Sequence, residues 1–262
     1  MLVKPKKYLG QHFLKDLTIA KNITEALQNT TCDYILEIGP GMGVLTNFLL
    51  KSTKKLVLIE IDSDSVAYLE HNFKNDLSDK LTIIEADFLK MDLKEQFNHQ
   101  FVVIGNFPYN ISSQILFKTL EYKEQIPELV GMFQKEVAER ICAKPNSKTF
   151  GILSVLIQAY YQAEYLFTVD EHVFNPPPKV KSGVLRLTKK SEPQIVNYKL
   201  LLQVVKTAFN QRRKKLRNAI KIYNLPNSEP TIEEYLEKRA EQLSVEDFIY
   251  LTNFIEENKK IR

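Results

Sequence analysis

Apolar and polar positions along the chain fall into two alternating regimes. Short apolar runs, rich in β-branched and aromatic residues, recur at 34–38, 56–61, 81–85, 101–105 and 129–133, and each reads as a buried strand. Between them the apolar spacing is helical. Leu17, Ile19, Ala20, Ile23 and Leu27 share one face of a predicted helix over 16–28, with Asp16 as its N-cap. Further helices are predicted at 44–50, at 63–73 with Val66, Leu69 and Phe73 on one face, at 113–120 capped by Ser112, and at 134–143. Residues 151–160 read as an apolar helix, and 161–169 and 182–187 as strands. Strand–helix alternation over roughly 190 residues predicts an α/β fold: a doubly wound, mostly parallel sheet with right-handed crossovers.

The pattern changes at Lys189-Lys190-Ser191-Glu192-Pro193, a polar boundary containing proline. Beyond it only helical spacing appears, at 198–210, 214–223 and 244–257, the last opened by a capping box, Ser244 to Asp247. The expected organisation is a catalytic α/β domain over 1–190, preceded by an N-terminal arm, and a small all-helical domain over 191–262. The arm interleaves Lys4, Lys6, Lys7 and Lys15 with Tyr8 and Phe13; taken by itself it reads as a poorly ordered terminus.

Composition narrows the function classes. Cys32 and Cys142 sit in or beside apolar segments and read as small buried hydrophobes of a reducing compartment. With His12, His71, His99 and His172 scattered, no metal-ligand spacing emerges, so no metal is expected. The basic N-terminus lacks the apolar stretch of a signal peptide, and no run approaches a membrane span, which predicts a soluble, cytoplasmic protein. The net charge of +4 gains meaning from its distribution. From 206 to 221 there are seven Lys or Arg and no acid, centred on Arg212, Arg213, Lys214, Lys215 and Arg217. An unbalanced block of this kind, in a helical domain beside a nucleotide site, reads as a phosphate-backbone contact rather than a solvated face.

The candidate chemistry lies just past the strand ends, where open α/β sheets bind ligands. Gly39-Pro40-Gly41-Met42-Gly43 follows the first strand as a nucleotide-binding turn; its spacing is G-x-G-x-G rather than the dinucleotide G-x-G-x-x-G. Glu37 ahead of it suits a cationic ligand and repels a pyrophosphate. Glu60, at the second strand end, can take both ribose hydroxyls, with Asp62 as a solvated or ribose-facing neighbour. Asp87 can accept from an adenine amino group and Phe88 can cover the ring. In Asn106-Phe107-Pro108-Tyr109, an amide acceptor on fixed backbone stands beside a flat stacking face, an arrangement that suits the exocyclic amine of a nucleobase.

Together with Leu9-Gly-Gln-His-Phe-Leu14, Phe174-Asn-Pro-Pro-Pro-Lys-Val180 and Arg212-Arg-Lys-Lys-Leu-Arg-Asn218, these stretches make the chain resemble the S-adenosylmethionine-dependent rRNA adenine N6-dimethyltransferases, within them the KsgA-type small-subunit branch. Two positions depart from the pattern: His12 where many members have Asn, and Phe107 where Leu or Ile is frequent. The resemblance implies a Rossmann-like methyltransferase domain and S-adenosyl-L-methionine as cofactor, with S-adenosyl-L-homocysteine as product. It implies cofactor contacts from Gln11, His12, Leu14, Glu37, Gly39, Gly41, Gly43, Glu60, Ile61, Asp87, Phe88 and Asn106. It further implies catalysis by Asn106, the Pro108 carbonyl and Tyr109, and a target base sandwiched by Tyr109 and Phe174. The implied partner is small-subunit (16S) rRNA in an immature 30S-type particle, met by a monomer. The rivals are an Erm-type large-subunit (23S) rRNA methyltransferase and an RNA-binding assembly factor with little turnover. A dehydrogenase is disfavoured by the glycine spacing.

Overall fold

The computed structural model describes residues 3–29, 31–77, 80–191, 197–225 and 229–259. In chain order the strands are β1 (Phe13–Leu14), β2 (Tyr34–Ile38), β3 (Lys55–Glu60), β4 (Leu81–Glu85), β5 (Val102–Asn106), β6 (Glu128–Gln134), β7 (Tyr161–Val169), β8 (Phe174–Asn175) and β9 (Ser182–Lys189). The helices are α1 (Leu17–Glu25), α2 (Thr46–Leu49), α3 (Ser63–Asn72), α4 (Leu93–Gln96), α5 (Ser112–Glu121), α6 (Lys135–Ile141), α7 (Ile152–Tyr160), α8 (Tyr198–Asn210), α9 (Leu216–Ala219), α10 (Pro230–Glu237) and α11 (Val245–Lys259).

The main sheet has seven strands in the order β4-β3-β2-β5-β6-β9-β7. Pairings from β4 through β6 are parallel, and β9 joins β6 antiparallel. The mostly parallel α/β sheet expected from the apolar runs is what the chain forms. Strand order reverses between β2 and β5, so the glycine loop after β2 and the Asn106 segment after β5 flank a topological switch point, where such sheets leave a crevice.

The chain divides into two compact units, Met1–Ala138 with Glu164–Lys189, and Glu139–Ala163 with Lys190–Arg262. The second cut falls one residue before the expected boundary at 190. Residues 139–163, grouped on sequence with the α/β domain, cluster with the helical unit, because α7 packs against α8 and α11. The boundary residues Glu192 and Pro193 lie outside the described residues. In the helical unit the aromatic pairs Phe150–Phe209 and Phe209–Phe248 form the centre.

Local departures have local causes. The predicted helix 214–223 breaks into α9 and a 3-10 turn, because Lys215 is extended and bridged to Arg239 and Asn224 ends the turn in the left-handed region. α10 was not anticipated; Glu229 caps it and Pro230 opens it, a position proline tolerates. Ser112 is the first helical residue of α5 rather than its cap, and its hydroxyl donates to the Tyr109 carbonyl. Asp16 caps α1, accepting from the Thr18 and Ile19 amides, and Ser244 and Asp247 form the reciprocal capping box.

Candidate active site

The arm is ordered, contrary to the reading of it as a loose terminus. The Lys6 amide donates to Gln11 Oε1 at 2.7 Å, closing a loop around the 3-10 turn Lys7–Leu9. Lys6 Nζ pairs with Asp62 and, at 2.8 Å, with Asp64, while Gln11 Nε2 donates to Asp62 at 2.8 Å. Burial alone would raise the Asp62 carboxyl, but the hydrogen bonds from Lys6 and Gln11 outweigh it and hold the group below the ordinary carboxylate range. Asp62 therefore anchors the arm and is absent from the cavity wall. Beyond Gln11 the chain pairs β1 with β8, Phe13 opposite Asn175 and Leu14 opposite Phe174.

With the arm so placed, residues 9–14 form one wall of a cavity of about 180 Å³. The other walls come from the glycine loop and the carboxyl ends of β3, β4 and β5. Gly39, Gly41 and Gly43 all have positive φ, a backbone region that disfavours side chains. Their N–H groups are engaged: Gly39 donates to the Ile59 carbonyl, Gly43 to the Pro40 carbonyl, and Gly41 to Glu60 Oε2 at 3.0 Å. The loop thus contributes close approach rather than free donors, and the helix after it begins only at Thr46. At Gly43 the missing side chain makes room for Phe73 of the adjoining turn, since a Cβ there would meet the ring at 2.5 Å. Gly43 does not line the cavity.

Glu37 and Glu60 are the buried acidic groups of the cavity. Glu37 is 1% exposed, and its carboxylate accepts from Thr46 Oγ1 at 2.7 Å. Burial pushes its carboxyl up to about 8; Thr46 opposes the shift and Glu60 adds to it. Glu60 is raised by burial too, partly offset by the amides of Asp62, Gly41 and Ile61, which all donate to it. Asp87 caps the 3-10 turn Phe88–Lys90 through the Leu89 amide at 3.0 Å. Lys118 of α5 pins that turn from below: its buried Nζ donates to the Leu89 carbonyl at 3.1 Å and to the Met91 carbonyl, and stands 5.2 Å from the Phe88 ring centroid.

Asn106 closes β5. Its Nδ2 donates to the His12 carbonyl at 2.9 Å. A carbonyl can only accept, so the contact fixes the amide with Oδ1 directed away from the arm carbonyl. The same logic assigns His12: Nδ1–H donates to the Pro176 carbonyl at 2.7 Å, which secures the arm at this point. Phe107 is 1% exposed, and its ring lies over Gly105 and Gly131, which are register partners in β5 and β6. A Cβ on Gly105 would reach the ring at 2.6 Å. The Phe107 amide donates to the Met132 carbonyl at 3.1 Å. The Pro108 carbonyl accepts from the Ile111 amide at 3.2 Å, which leaves its second lone pair open. Tyr109 lines the cavity, and its hydroxyl is tied to Ser182 Oγ at 2.6 Å. Burial raises the phenol, with Ser182 opposing the shift, so the ring stays neutral.

The fold therefore brings Gln11, His12, Leu14, Glu37, Gly39, Gly41, Glu60, Ile61, Asp87, Phe88, Asn106, Pro108 and Tyr109 to one cavity. Phe174 is elsewhere. Its pairing with Leu14 buries it in the core at 2% exposure, with no face offered to the cavity. In the helical unit the basic block is divided. Arg212 pairs with Glu241 at 2.6 Å and donates to the Lys148 carbonyl at 2.7 Å. Lys215 pairs with Glu237 at 2.5 Å, and Arg217 with Glu233 at 2.7 Å and Glu237 at 3.0 Å. Arg213 and Lys214 are exposed. Supporting residues that sequence reasoning missed are Lys6, Thr46, Lys118 and Ser182; only the density of lysines in the arm hinted at any of them.

Among the described residues no group of three or more His, Cys, Asp or Glu is arranged to hold a metal ion, and no helix is long and apolar enough to cross a membrane. Comparison with known proteins gives a consistent outcome. The family model described as ribosomal RNA adenine dimethylase matches residues 3–257. The chain is 59% identical over 257 residues to ribosomal RNA small subunit methyltransferase A of Flavobacterium johnsoniae, covering 97% of each. It is 57% identical to the protein of that name from Bacteroides thetaiotaomicron, over 99% of this chain and 97% of the relative. Among solved structures it resembles a dimethyladenosine transferase from Plasmodium falciparum, with a TM-score of 0.82 at 29% identity over 95% of this chain and 98% of the other. The 23S rRNA methyltransferase ErmE shares the fold, with a TM-score of 0.75 at 22% identity over 93% and 99%.

Proposed function

The chain belongs to the ribosomal RNA adenine dimethylase family, whose activity depends on S-adenosylmethionine, and on that premise we propose that it dimethylates the N6 of adjacent adenines near the 3′ end of small-subunit (16S) rRNA within an immature 30S-type particle. S-adenosylmethionine, when bound, supplies a sulfonium methyl group and leaves as the neutral thioether S-adenosylhomocysteine. The lining supports this reading: Glu60 can accept from ribose hydroxyls, Asp87 can accept from the adenine amine with Phe88 as a cover, and Glu37, once ionised, can face the cationic methionine end.

The observation that carries the reading is the Asn106 amide. An adenine amine is a poor nucleophile because its lone pair is delocalised into the ring. Acceptors at both of its N–H groups favour a more pyramidal nitrogen with the lone pair directed outward. Asn106 Oδ1 is left for one N–H by the bond from Nδ2 to His12, and the open lone pair of the Pro108 carbonyl can take the other. Orientation and placed acceptors supply the catalysis, and no strong general base is required. The flipped base stacks on Tyr109, held in position by Ser182. Phe174 is buried, with β8 paired to β1, so the stacking proposed here rests on Tyr109 alone. Phosphate contacts narrow to Arg213 and Lys214, which have no ion pair among the described residues.

The test is methyl transfer from labelled S-adenosylmethionine to immature small subunits lacking the modification, beside large-subunit rRNA. Two methyl groups per adenine on the small subunit alone are expected. Label on large-subunit rRNA assigns the chain to the other branch, and cofactor binding without transfer makes it an assembly factor.

A further inference from the structure

Tyr8 is the most exposed large hydrophobic residue among those described, at 76%. It does not wave on a loose terminus. It sits in the 3-10 turn Lys7–Leu9, inside the loop closed by Lys6 and Gln11 and tied down at Asp62 and Asp64. Two residues on, Gly10 lies against the catalytic segment so closely that a Cβ there would stand 2.5 Å from Asn110 Oδ1 and 3.7 Å from the Pro108 side chain. Two residues of chain span at most about 7 Å, so Tyr8 is held beside the cavity that Leu9 and Gly10 help to line.

Charge beside Tyr8 is arranged for an anionic partner. Asp62 and Asp64, the nearby carboxylates, are engaged by Lys6. Lys4 and Lys7 remain exposed, with no ion pair among the described residues. A rigid, solvent-facing aromatic ring between free ammonium groups is the combination that binds single-stranded nucleic acid, the ring stacking a base and the cations meeting phosphates. The need for it is specific to this chemistry. Extruding the target adenine strips its neighbour of a stacking partner, and a ring beside the cavity can replace the lost stack.

We propose that Tyr8, with Lys4 and Lys7, forms a subsite for an unpaired base flanking the methylated adenine; this rests on the rRNA reading above. The chain contains no tryptophan, so Tyr8→Trp introduces a single indole at the subsite, whose emission can be excited apart from that of the tyrosines. Its emission is expected to be quenched on titration with protein-free small-subunit rRNA lacking the modification, in step with retention of that RNA on filters. Tyr8→Ala is expected to raise KM for immature small subunits roughly 5- to 150-fold, the range of one base–aromatic stack, while Tyr8→Phe stays near wild type. Cofactor affinity and melting temperature should not move in any of the three variants. Unchanged Tyr8→Trp emission with the RNA demonstrably bound overturns the subsite, as does a wild-type KM for Tyr8→Ala. Quenching by intact particles but not by protein-free rRNA that the filters retain overturns it in favour of a protein contact. A wild-type chain that neither binds nor methylates immature small subunits overturns the rRNA reading and the subsite together, and is told apart by needing no variant.

Discussion

The segment Asn106-Phe107-Pro108-Tyr109 and the block Arg212-Arg213-Lys214-Lys215-Leu216-Arg217 both announce a chemistry by residue type, and the structure treats them differently. Around Asn106 every neighbour reinforces the announced role: Gly105 and Gly131 admit the Phe107 ring, His12 fixes the amide, and Ser182 holds Tyr109. In the basic block Arg212, Lys215 and Arg217 are committed to carboxylates of α10 and of the adjoining turn, which leaves Arg213 and Lys214 facing solvent. A catalytic group is specified by a fixed local geometry. A charge run is specified only by its sign, and the fold recruits some of it for its own cohesion.

Substitutions can press on this contrast, and the largest effect belongs to Asn106. Asn106→Ala is expected to lower kcat on the order of 10²- to 10³-fold while calorimetry finds cofactor affinity nearly intact. A variant of near wild-type turnover would dissolve the distinction between the two segments. Next comes pH. Burial keeps Glu37 protonated to about 8, whereas lysine and arginine contacts to phosphate do not titrate near neutrality. A cationic ligand end prefers the ionised carboxylate, so S-adenosylmethionine affinity should climb up to about tenfold per unit as pH rises toward 8, and Glu37→Gln should flatten the climb. Stability moves the other way. A folded-state value raised above the ordinary glutamate value of 4.5 contributes stability that is fully present below about 4.5 and lost as pH rises through about 8.

A packing test follows. Gly131→Ala pushes a methyl group into the Phe107 ring and should destabilise the chain by about 1–3 kcal/mol in denaturant titrations. Adding Phe107→Leu should recover part of that loss; no recovery would mean that the ring is not what the glycines accommodate. The smallest effects separate the cations of the basic block. Neutralising Arg213 and Lys214 together should reduce the slope of log affinity against log salt by about 2 without shifting the melting temperature. Arg212→Ala should instead destabilise by about 1 kcal/mol, since its pair with Glu241 is partly exposed and its carbonyl contacts are lost with it.

Legibility in the sequence followed the range of the interactions involved. The strands of the parallel sheet were readable because each is a buried apolar run whose signal is local, and β7 and α8 fall where the periodicity puts them. The glycine loop, Glu37, Glu60, Asp87 and Asn106 were readable because strand ends mark the crevice of an α/β sheet. Long-range pairings were not. Nothing near Phe174 announces that it will lie opposite Leu14 and be buried, and nothing near Lys6 points to Asp62. The order of the arm depends on those distant partners, so a local reading finds only a basic, aromatic terminus. Likewise Arg212 and Arg213 are neighbours of like charge, and only the placement of Glu241 gives them different roles.

The bond between His12 and Pro176 joins positions 164 residues apart, and this bears on when the enzyme comes into being. Chains emerge from their N-terminus, and domains assemble as their parts appear. The arm is made first, yet its docking partners are among the last parts of the α/β unit to be synthesised, and contacts of such high sequence separation form late because the intervening loop must close first. A nascent chain long enough to carry the glycine loop and Asn106 still lacks the β8 strand that seats His12, and so lacks an aligned amide. Catalytic competence is thereby deferred until synthesis has passed Pro176, and the finished active site serves as the mark of a nearly completed α/β unit.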